Sequence, residues 1–404
     1  MKKLAINEIG AELWISDSIG ILSQYWQPIH LDAGLMDLDF LQSIEKSPPI
    51  GMSFLYGVLK RNDKILTLLY FQILPFQAGT SLKIDEPCEG FFDALSNFSR
   101  KYLANFVSFT TLVCGNLLVA GPNGLAFSKE IGLIERQQYL SLCLEAIHHH
   151  PKFIKNASVT LIKDYPGELR LTALSSGALA ELYEFSIQPG MRMHIRDEWD
   201  TFQQYLDALH SKYRLRYKKA DKHAAALELV EWDYPEIKKN IHTLHQLYHN
   251  VANQAGFNMV SLNEMYILSM KEQLKDRFRL FVYLENGHPI GFFSYIVNQK
   301  ELVAHYLGFD PQKNVPYHLY LNMLYNLVKE AIVGNFDQID FARTALEIKS
   351  TIGAESEDLY CYISHNTRWY NKFVPKLLEF LKPVEDWTPR HPFKAKTKIA
   401  VLEL

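Results

Sequence analysis

Cysteine is scarce in this chain, and the four present (Cys88, Cys114, Cys143, Cys361) stand far apart. They form no paired spacing, which excludes a disulfide-stapled scaffold, a cysteine-ligated metal site and a dithiol redox centre, and fits reduced thiols in a cytosolic protein. No window holds the ~18 uninterrupted apolar residues of a membrane-crossing helix. Met1-Lys2-Lys3-Leu4 begins with charge, but Glu8 and Glu12 interrupt the residues behind it, so no secretory leader is expected. The expected location is cytoplasmic, with peripheral contact to the inner membrane face left open by an aromatic content of 13%. A net charge of −3 argues against a dedicated nucleic-acid coat, although a local basic patch can coexist with it. The Gly-x-Ser-x-Gly elbow, the phosphate-binding Gly-Lys-Ser/Thr loop and the dinucleotide glycine fingerprint are all missing. Their absence removes the corresponding hydrolase, nucleoside-triphosphatase and Rossmann dehydrogenase classes.

What is present is the composition of a globular chain, 48% hydrophobic and 22% charged, and 404 residues exceed what one core ordinarily sustains. Two domains are expected. Phe54–Leu59 and Ile65–Phe71 flank an Asn62-Asp63 turn and read as a hairpin. Phe91–Val107 has helical spacing, Leu117–Ala120 looks like a short strand, and Gly121-Pro122-Asn123-Gly124 ends it. A helix over Arg136–Ile147 and a strand over Ala157–Ile162 come next.

The second half repeats this order. Arg279–Leu284 and Gly291–Val297 flank Asn286-Gly287, the strongest short hairpin signal. Next come a strand over Leu302–Leu307, a turn-rich loop from Gly308 to Pro316, and a helix carrying Tyr320, Leu324, Leu327, Val328 and Ala331 on one face. A strand at Ile339 then empties into the polar stretch 340–355. The expected fold class is α+β, with each half a mixed, mostly antiparallel sheet flanked by helices. We place the boundary near Gln188-Pro189-Gly190, giving domains 1–188 and 189–404, the second ending in a tail strand within 392–404.

Three stretches carry a family resemblance. One is the helix and basic run of Trp199–Lys222, with Ser211-Lys212-Tyr213-Arg214-Leu215-Arg216-Tyr217-Lys218-Lys219-Ala220. Another is His305-Tyr306-Leu307-Gly308, leading through Pro316-Tyr317-His318 into a helix. The third is Phe341-Ala342-Arg343-Thr344, with Lys349 and Gly353-Ala354-Glu355. With the hairpin, strand, helix, strand order they resemble the GNAT acyltransferase superfamily, and two such units resemble its tandem FemAB-like branch. The likeness covers roughly 190–380 and is weaker before it. It implies two tandem GNAT-like domains, with catalysis in the second and a structural or donor-shaping role for the first.

The resemblance implies acyl transfer from a thioester to an amine. The two central strands of the fold splay apart, a main-chain N–H there stabilises the thioester oxygen, and amides of the following helix hold a pyrophosphate. By position, 302–307 and 338–342 are those strands. His305, with its neighbour Tyr306, is the candidate base, since an ordinary imidazole titrates near ~6.5. Asp310 is expected to orient the amine or serve the leaving thiolate. Tyr317, Arg343 and Lys349 are expected at the acceptor, Arg343 because its fork takes a carboxylate or phosphate with two hydrogen bonds. Lys212, Arg214, Arg216 and Lys218 are expected to meet the donor's phosphates or acidic surface.

No tightly bound cofactor is implied, only acyl-CoA or an acyl carrier protein as donor and a small-molecule or lipid amine as acceptor. The loop Gly308–Pro316 lacks the glycine-rich basic character of acetyl-CoA users, which favours a longer acyl donor. No long heptad stretch supplies the helical arm typical of aminoacyl-tRNA users. Aminoacyl-tRNA-dependent transfer stays as an alternative because of the basic run, and a non-catalytic binding protein as another. No metal is expected, although His242, His245 and His249 share a helical face.

Overall fold

The structure, a computed structural model, describes residues 1–26, 31–32, 34–77, 108–150, 157–171, 177–186, 188–254, 260–381 and 387–394. Within them the chain forms two compact units, each assembled from separated segments. The first comprises Met1–Pro189, Asp233–Phe278 and Asp358–Val384; the second comprises Gly190–Trp232, Arg279–Glu357 and Glu385–Leu404. The continuous halves 1–188 and 189–404 are therefore not the units that the contacts define. The tail strand expected within 392–404 falls almost wholly outside the described residues, as does the helix expected over Phe91–Val107.

The first unit is built on a ten-stranded sheet. Its strands are β1 (Lys2–Ile6), β2 (Ala11–Ser16), β3 (Leu31–Asp32), β4 (Ser53–Arg61), β5 (Lys64–Gln77), β6 (Ser108–Cys114), β7 (Leu125–Ser128), β8 (Ala157–Pro166) and β9 (Tyr183–Phe185), with β17 (Leu359–His365) from near the C-terminus. They run in the order β1-β2-β4-β5-β6-β8-β17-β9, with β3 and β7 paired at the side. The β4–β5 hairpin turns on Asn62 and Asp63, both left-handed, a conformation these side chains tolerate. Helix α1 (Leu133–His148) lays Tyr139, Leu140, Cys143, Leu144 and Ile147 into the core over Leu13, Leu55, Leu69 and Phe71. Residues 117–120, expected as a strand, are a turn region. The buried amides of Gln72 and Asn116 bind Leu117 N and Leu118 N there, so side chains replace a strand partner.

The second unit is a seven-stranded sheet of β10 (Gly190–His194), β11 (Glu228–Glu231), β12 (Phe278–Glu285), β13 (His288–Asn298), β14 (Glu301–Phe309), β15 (Gln338–Asp340) and β16 (Glu355–Glu357). Its order is β11-β12-β13-β14-β15-β10-β16. The β12–β13 turn is Asn286-Gly287, both left-handed as a type I′ hairpin requires. The two sheets exchange strands: β10 follows β9 in sequence but lies in the second sheet, and β17 follows β16 but lies in the first. Accordingly β10 sits between β15 and β16, and β17 between β8 and β9.

Helices α2 (Phe202–Ala208) and α3 (Ser211–Ala224) precede β11, and α4 (Pro311–Tyr317) and α5 (Leu319–Val333) follow β14. The loop expected over Gly308–Pro316 is thus largely the helix α4. Asp310 caps it and Pro311 opens it, a position where proline's missing N–H costs nothing. Its residues, Pro-Gln-Lys-Asn-Val-Pro-Tyr, carry no apolar period, so sequence spacing gives no helix signal. Helix α5 packs on β13, β14 and β15, burying Leu319, Met323, Leu324, Leu327, Val328 and Ala331. The stretch 340–355 holds a short helix, α6 (Leu346–Ser350), before β16.

Candidate functional site

The register of β14 creates the site. On its β13 side, Phe293 pairs with Leu307 and Tyr295 with Ala304, so Ser294 alone faces both His305 and Tyr306. This is a β-bulge, one extra residue that bends the strand. Ser294, itself buried, holds it: its Oγ donates to Tyr306 O at 2.8 Å and accepts from Tyr306 N at 3.2 Å. On the other side, β14 runs parallel to β15 for three pairs, Glu301 with Gln338, Leu302 with Ile339 and Val303 with Asp340. There the pairing stops. The chain beyond β15 turns to β10 instead, with Phe341 N donating to Met191 O at 2.9 Å and Met191 N to Ala342 O at 3.0 Å. Beyond Val303, β14 therefore has no strand pairing with the loop after Asp340 among the described residues.

That loop is strained. Ala342, Thr344 and Ala345 all have left-handed φ, of 56°, 69° and 50°. None is glycine, and for β-branched Thr344 the conformation is a genuine outlier. Two side chains hold it. Asp340 Oδ1 accepts from Ala342 N at 2.7 Å, and Lys349 Nζ donates to the carbonyls of Phe341 and Arg343, both at 2.6 Å. Lys349 is only 4% exposed, and burial pushes its amine down to about 7, with Asp340 opposing the shift. The sequence places Lys349 at the acceptor. It is an internal brace of the loop that carries Arg343, and Arg343 itself is half-buried.

The remaining candidates separate. His305 lies on the bulge, its ring edge-to-face with Tyr306 at 4.6 Å, and burial pushes its imidazole down to about 3. It is neutral at neutral pH and a far weaker base than an ordinary histidine. Asp310 is spent as the cap of α4, accepting from Gln312 N at 2.9 Å. The first turn of α4 therefore already carries a carboxylate and a proline, which leaves no amide cradle for a pyrophosphate. Tyr317 donates to Glu285, which also binds Lys313 at 2.6 Å. The bond to Glu285 pushes the tyrosine hydroxyl up, and Lys313 first, then Tyr317, hold the carboxyl down. Tyr317 staples α4 to the end of β12.

On α3 the four expected basic residues divide. Lys212 and Arg216 share a stripe with Lys219 and His223, at i, i+4, i+7 and i+11, all exposed. Arg214 and Lys218 lie on a different stripe, with Arg214 3.7 Å from Asp207. The first stripe ends at the junction of α4 and α5. His223 reaches Pro316 O at 2.9 Å, and the rings of His223 and His318 are 4.8 Å apart. After burial, His223, Lys219 and Arg216 hold the His318 imidazole below its ordinary range, as a local excess of positive charge does. Lys219 stands within the basic run that ends at Lys222, whereas His223 lies just beyond it and neither it nor His318 is among the expected site residues.

Other expectations fall elsewhere in the first unit. His242 pairs with Glu264 and His245 Nε2 with Leu262 O at 3.2 Å, and among the described residues no three metal-ligating side chains converge. Cys114, Cys143 and Cys361 are buried and form no disulfide with one another, and Cys361 Sγ donates to Asp164 Oδ1 at 3.5 Å; Cys88 lies outside the described residues.

No family model matches the sequence, and no curated protein matches it either. Solved structures do. FemX is similar over 92% of this chain and 100% of its own, at 11% identity and a TM-score of 0.51. A tandem GNAT protein from the clavulanic acid biosynthesis pathway is similar over 90% of this chain and 98% of its own, at 10% identity and a TM-score of 0.48. The likeness to FemX is one of fold. β14 and β15 are a parallel pair at the positions, 302–307 and 338–342, that the resemblance gave, and their pairing covers Glu301–Val303 with Gln338–Asp340.

Proposed function

We propose that the second unit is an N-acyltransferase, moving an acyl group from a thioester to an amine where β14 and β15 cease to pair. The observation that carries this reading is the bulge at His305-Tyr306 opposite Ser294, where β14 has already parted from β15. Main chain there is suited to receive a thioester carbonyl and to stabilise the oxyanion as the amine attacks. The new C–N bond forms as the C–S bond breaks, the thiolate takes a proton, and the attacking nitrogen gives one up. His305 is too weak a base to accept that proton, so the amine enters neutral or passes its proton to water. Arg343 is the acceptor-facing cation, suited to a carboxylate or phosphate on an amino acid or amino-lipid. Lys349 shapes the loop that presents it.

The donor's anionic part is assigned to the stripe Lys212, Arg216, Lys219 and His223. Acyl-CoA or an acyl carrier protein supplies such a surface. The stripe is about 16 Å long, more than one pyrophosphate needs, and this favours aminoacyl-tRNA as a second reading. Incubation with acyl-CoAs of graded chain length, acyl carrier protein and a panel of amines, followed by thiol release, tests the first. Thiol release that depends on the amine supports it, and none with any pair overturns it. A salt-sensitive tRNA shift with aminoacyl transfer in its place moves the assignment to the second reading.

A further inference from the structure

In the first unit, β17 ends in a short structure that the proposed chemistry does not use. Helices α7 (Arg368–Asn371) and α8 (Val374–Leu381) follow it directly. The segment is pinned from beneath. Asn371, 3% exposed, accepts from His365 N and donates to Glu181 O, both at 2.8 Å, and Val374 is buried beside it. α8 packs on β17 and β9. From the outward side rise Trp369, Tyr370 and Phe373, exposed by 63%, 55% and 48%. Their rings rest on one another, Trp369 5.3 Å from Tyr370 and 5.0 Å from Phe373. Among the described residues these are the aromatic side chains that stand as large exposed hydrophobics, and all three fall within five positions.

Cations surround them. Arg368, Lys372 and Lys376 recur at every fourth position and are exposed. Among the described residues, the acids of this stretch and its ion pairs are Glu181, 3.4 Å from Arg368, and exposed Glu379, against three cations. A backbone held by Asn371 cannot fold three rings inward, and their exposure to water is unfavourable unless something covers them. Protein interfaces draw on Trp, Tyr and Phe but are depleted in lysine. An anionic headgroup layer attracts lysine and arginine, and its boundary is where Trp and Tyr rest, ring in the acyl region and polar edge in water.

We propose that Trp369, Tyr370 and Phe373, framed by Arg368, Lys372 and Lys376, dock the chain reversibly on a bilayer containing anionic phospholipid. The rings enter the headgroup boundary and the cations face the phosphates. Among the described residues no helix is long and apolar enough to cross a membrane, so this contact is peripheral. The inference stands apart from the acyl-transfer reading, since it concerns the other unit and is measured without substrate.

Co-sedimentation of the full chain with vesicles of phosphatidylcholine alone, and of phosphatidylcholine mixed with phosphatidylglycerol, tests it at low and high salt. Binding is expected to the mixed vesicles, weakening as salt rises. Trp369→Ser/Phe373→Ser is expected to lower vesicle affinity about tenfold or more through lost apolar burial. Lys372→Gln and Lys376→Gln are each expected to lower it about fivefold at low salt. All are surface changes, and an unaltered melting curve shows that each variant is folded. No binding to mixed vesicles, or binding indifferent to Trp369→Ser/Phe373→Ser, overturns the proposal. A concentration-dependent dimer that the double variant abolishes, with no vesicle binding, makes the face a contact between copies and overturns it too.

Discussion

The parallel strand pairs of the two sheets, β6 with β8 and β14 with β15, occupy corresponding positions and end differently. In the first unit, β5 and β6 pair without a break from Phe71–Cys114 to Gln77–Ser108, and β6 stays beside β8 as far as Cys114 and Ile162. The chain then folds back over the end of the pair. Gln72 Nε2 donates to Asn116 Oδ1 at 3.0 Å, and a Cβ at Gly124 would lie 2.4 Å from Gly115 N. That end is filled. In the second unit a bulge bends β14, pairing with β15 lasts three residues, and the following loop is pulled toward β10 and braced by Lys349. One strand pair runs to its end beside its neighbours, and in the other the pairing stops early, next to a bulge. Duplication of an architecture therefore does not duplicate a site.

Changes at the two ends should separate them most sharply. Lys349→Met leaves two loop carbonyls without their donor and frees a strained loop. We expect transfer to fall about a hundredfold from misplacement of Arg343, and stability to fall by about 2 kcal/mol. Gly124→Ala, its counterpart in the first unit, forces backbone apart and should cost about 1–3 kcal/mol, with transfer per folded molecule unchanged. Urea unfolding beside initial rates measures both, and equal losses of transfer in the two variants would erase the distinction.

Arg343→Gln comes next. It should raise the acceptor's KM about 10–100-fold, the value of a charge-assisted hydrogen bond, and move kcat far less. A kcat-only effect would place Arg343 elsewhere in the cycle. On the donor side, Arg216→Gln/Lys219→Gln should weaken a polyanionic donor and flatten its salt dependence by about one unit per cation, read from KM at several ionic strengths.

A pH effect arises from Lys349. Burial lowers its folded-state pKa from 10.5 to about 7, so between these values the unfolded chain binds more protons than the folded one. Stability tied to this residue therefore rises as pH increases from about 7 toward 10.5, and its burial penalty is fully felt below about 7. Unfolding midpoints at neutral and alkaline pH should diverge in the parent and converge in Lys349→Met. The smallest effect belongs to His305→Asn. Burial pushes the His305 imidazole down to about 3 and makes it a poor base, so transfer should change by less than about threefold and its pH profile should keep its shape.

The hairpins at Asn62-Asp63 and Asn286-Gly287, the helix with Leu324, Leu327 and Val328 inward, and the strand at Ile339 were all legible. Each rests on turn chemistry or apolar spacing within about twenty residues. The same spacing exposed the repeated α+β plan, and the basic run of α3 announced itself as charge. Arg343 follows the short parallel strand at Ile339, the position that the sequence order assigned it. The role of Asp310 was not legible, because a capping carboxylate and a reactive one look alike until the helix it caps is seen.

By itself, then, the sequence determined local matters: which stretches are strands, which turns reverse the chain, and which helix faces are apolar. Tertiary structure decided the rest. It exchanged β10 and β17 between the sheets, since strand pairing depends on partners more than a hundred residues away. It set the register that leaves Ser294 opposite two residues, which no one-dimensional pattern records. It also decided that Lys349 is a brace and His305 a neutral ring. Burial sets the charge of a lysine or histidine, and burial exists only once the chain has folded.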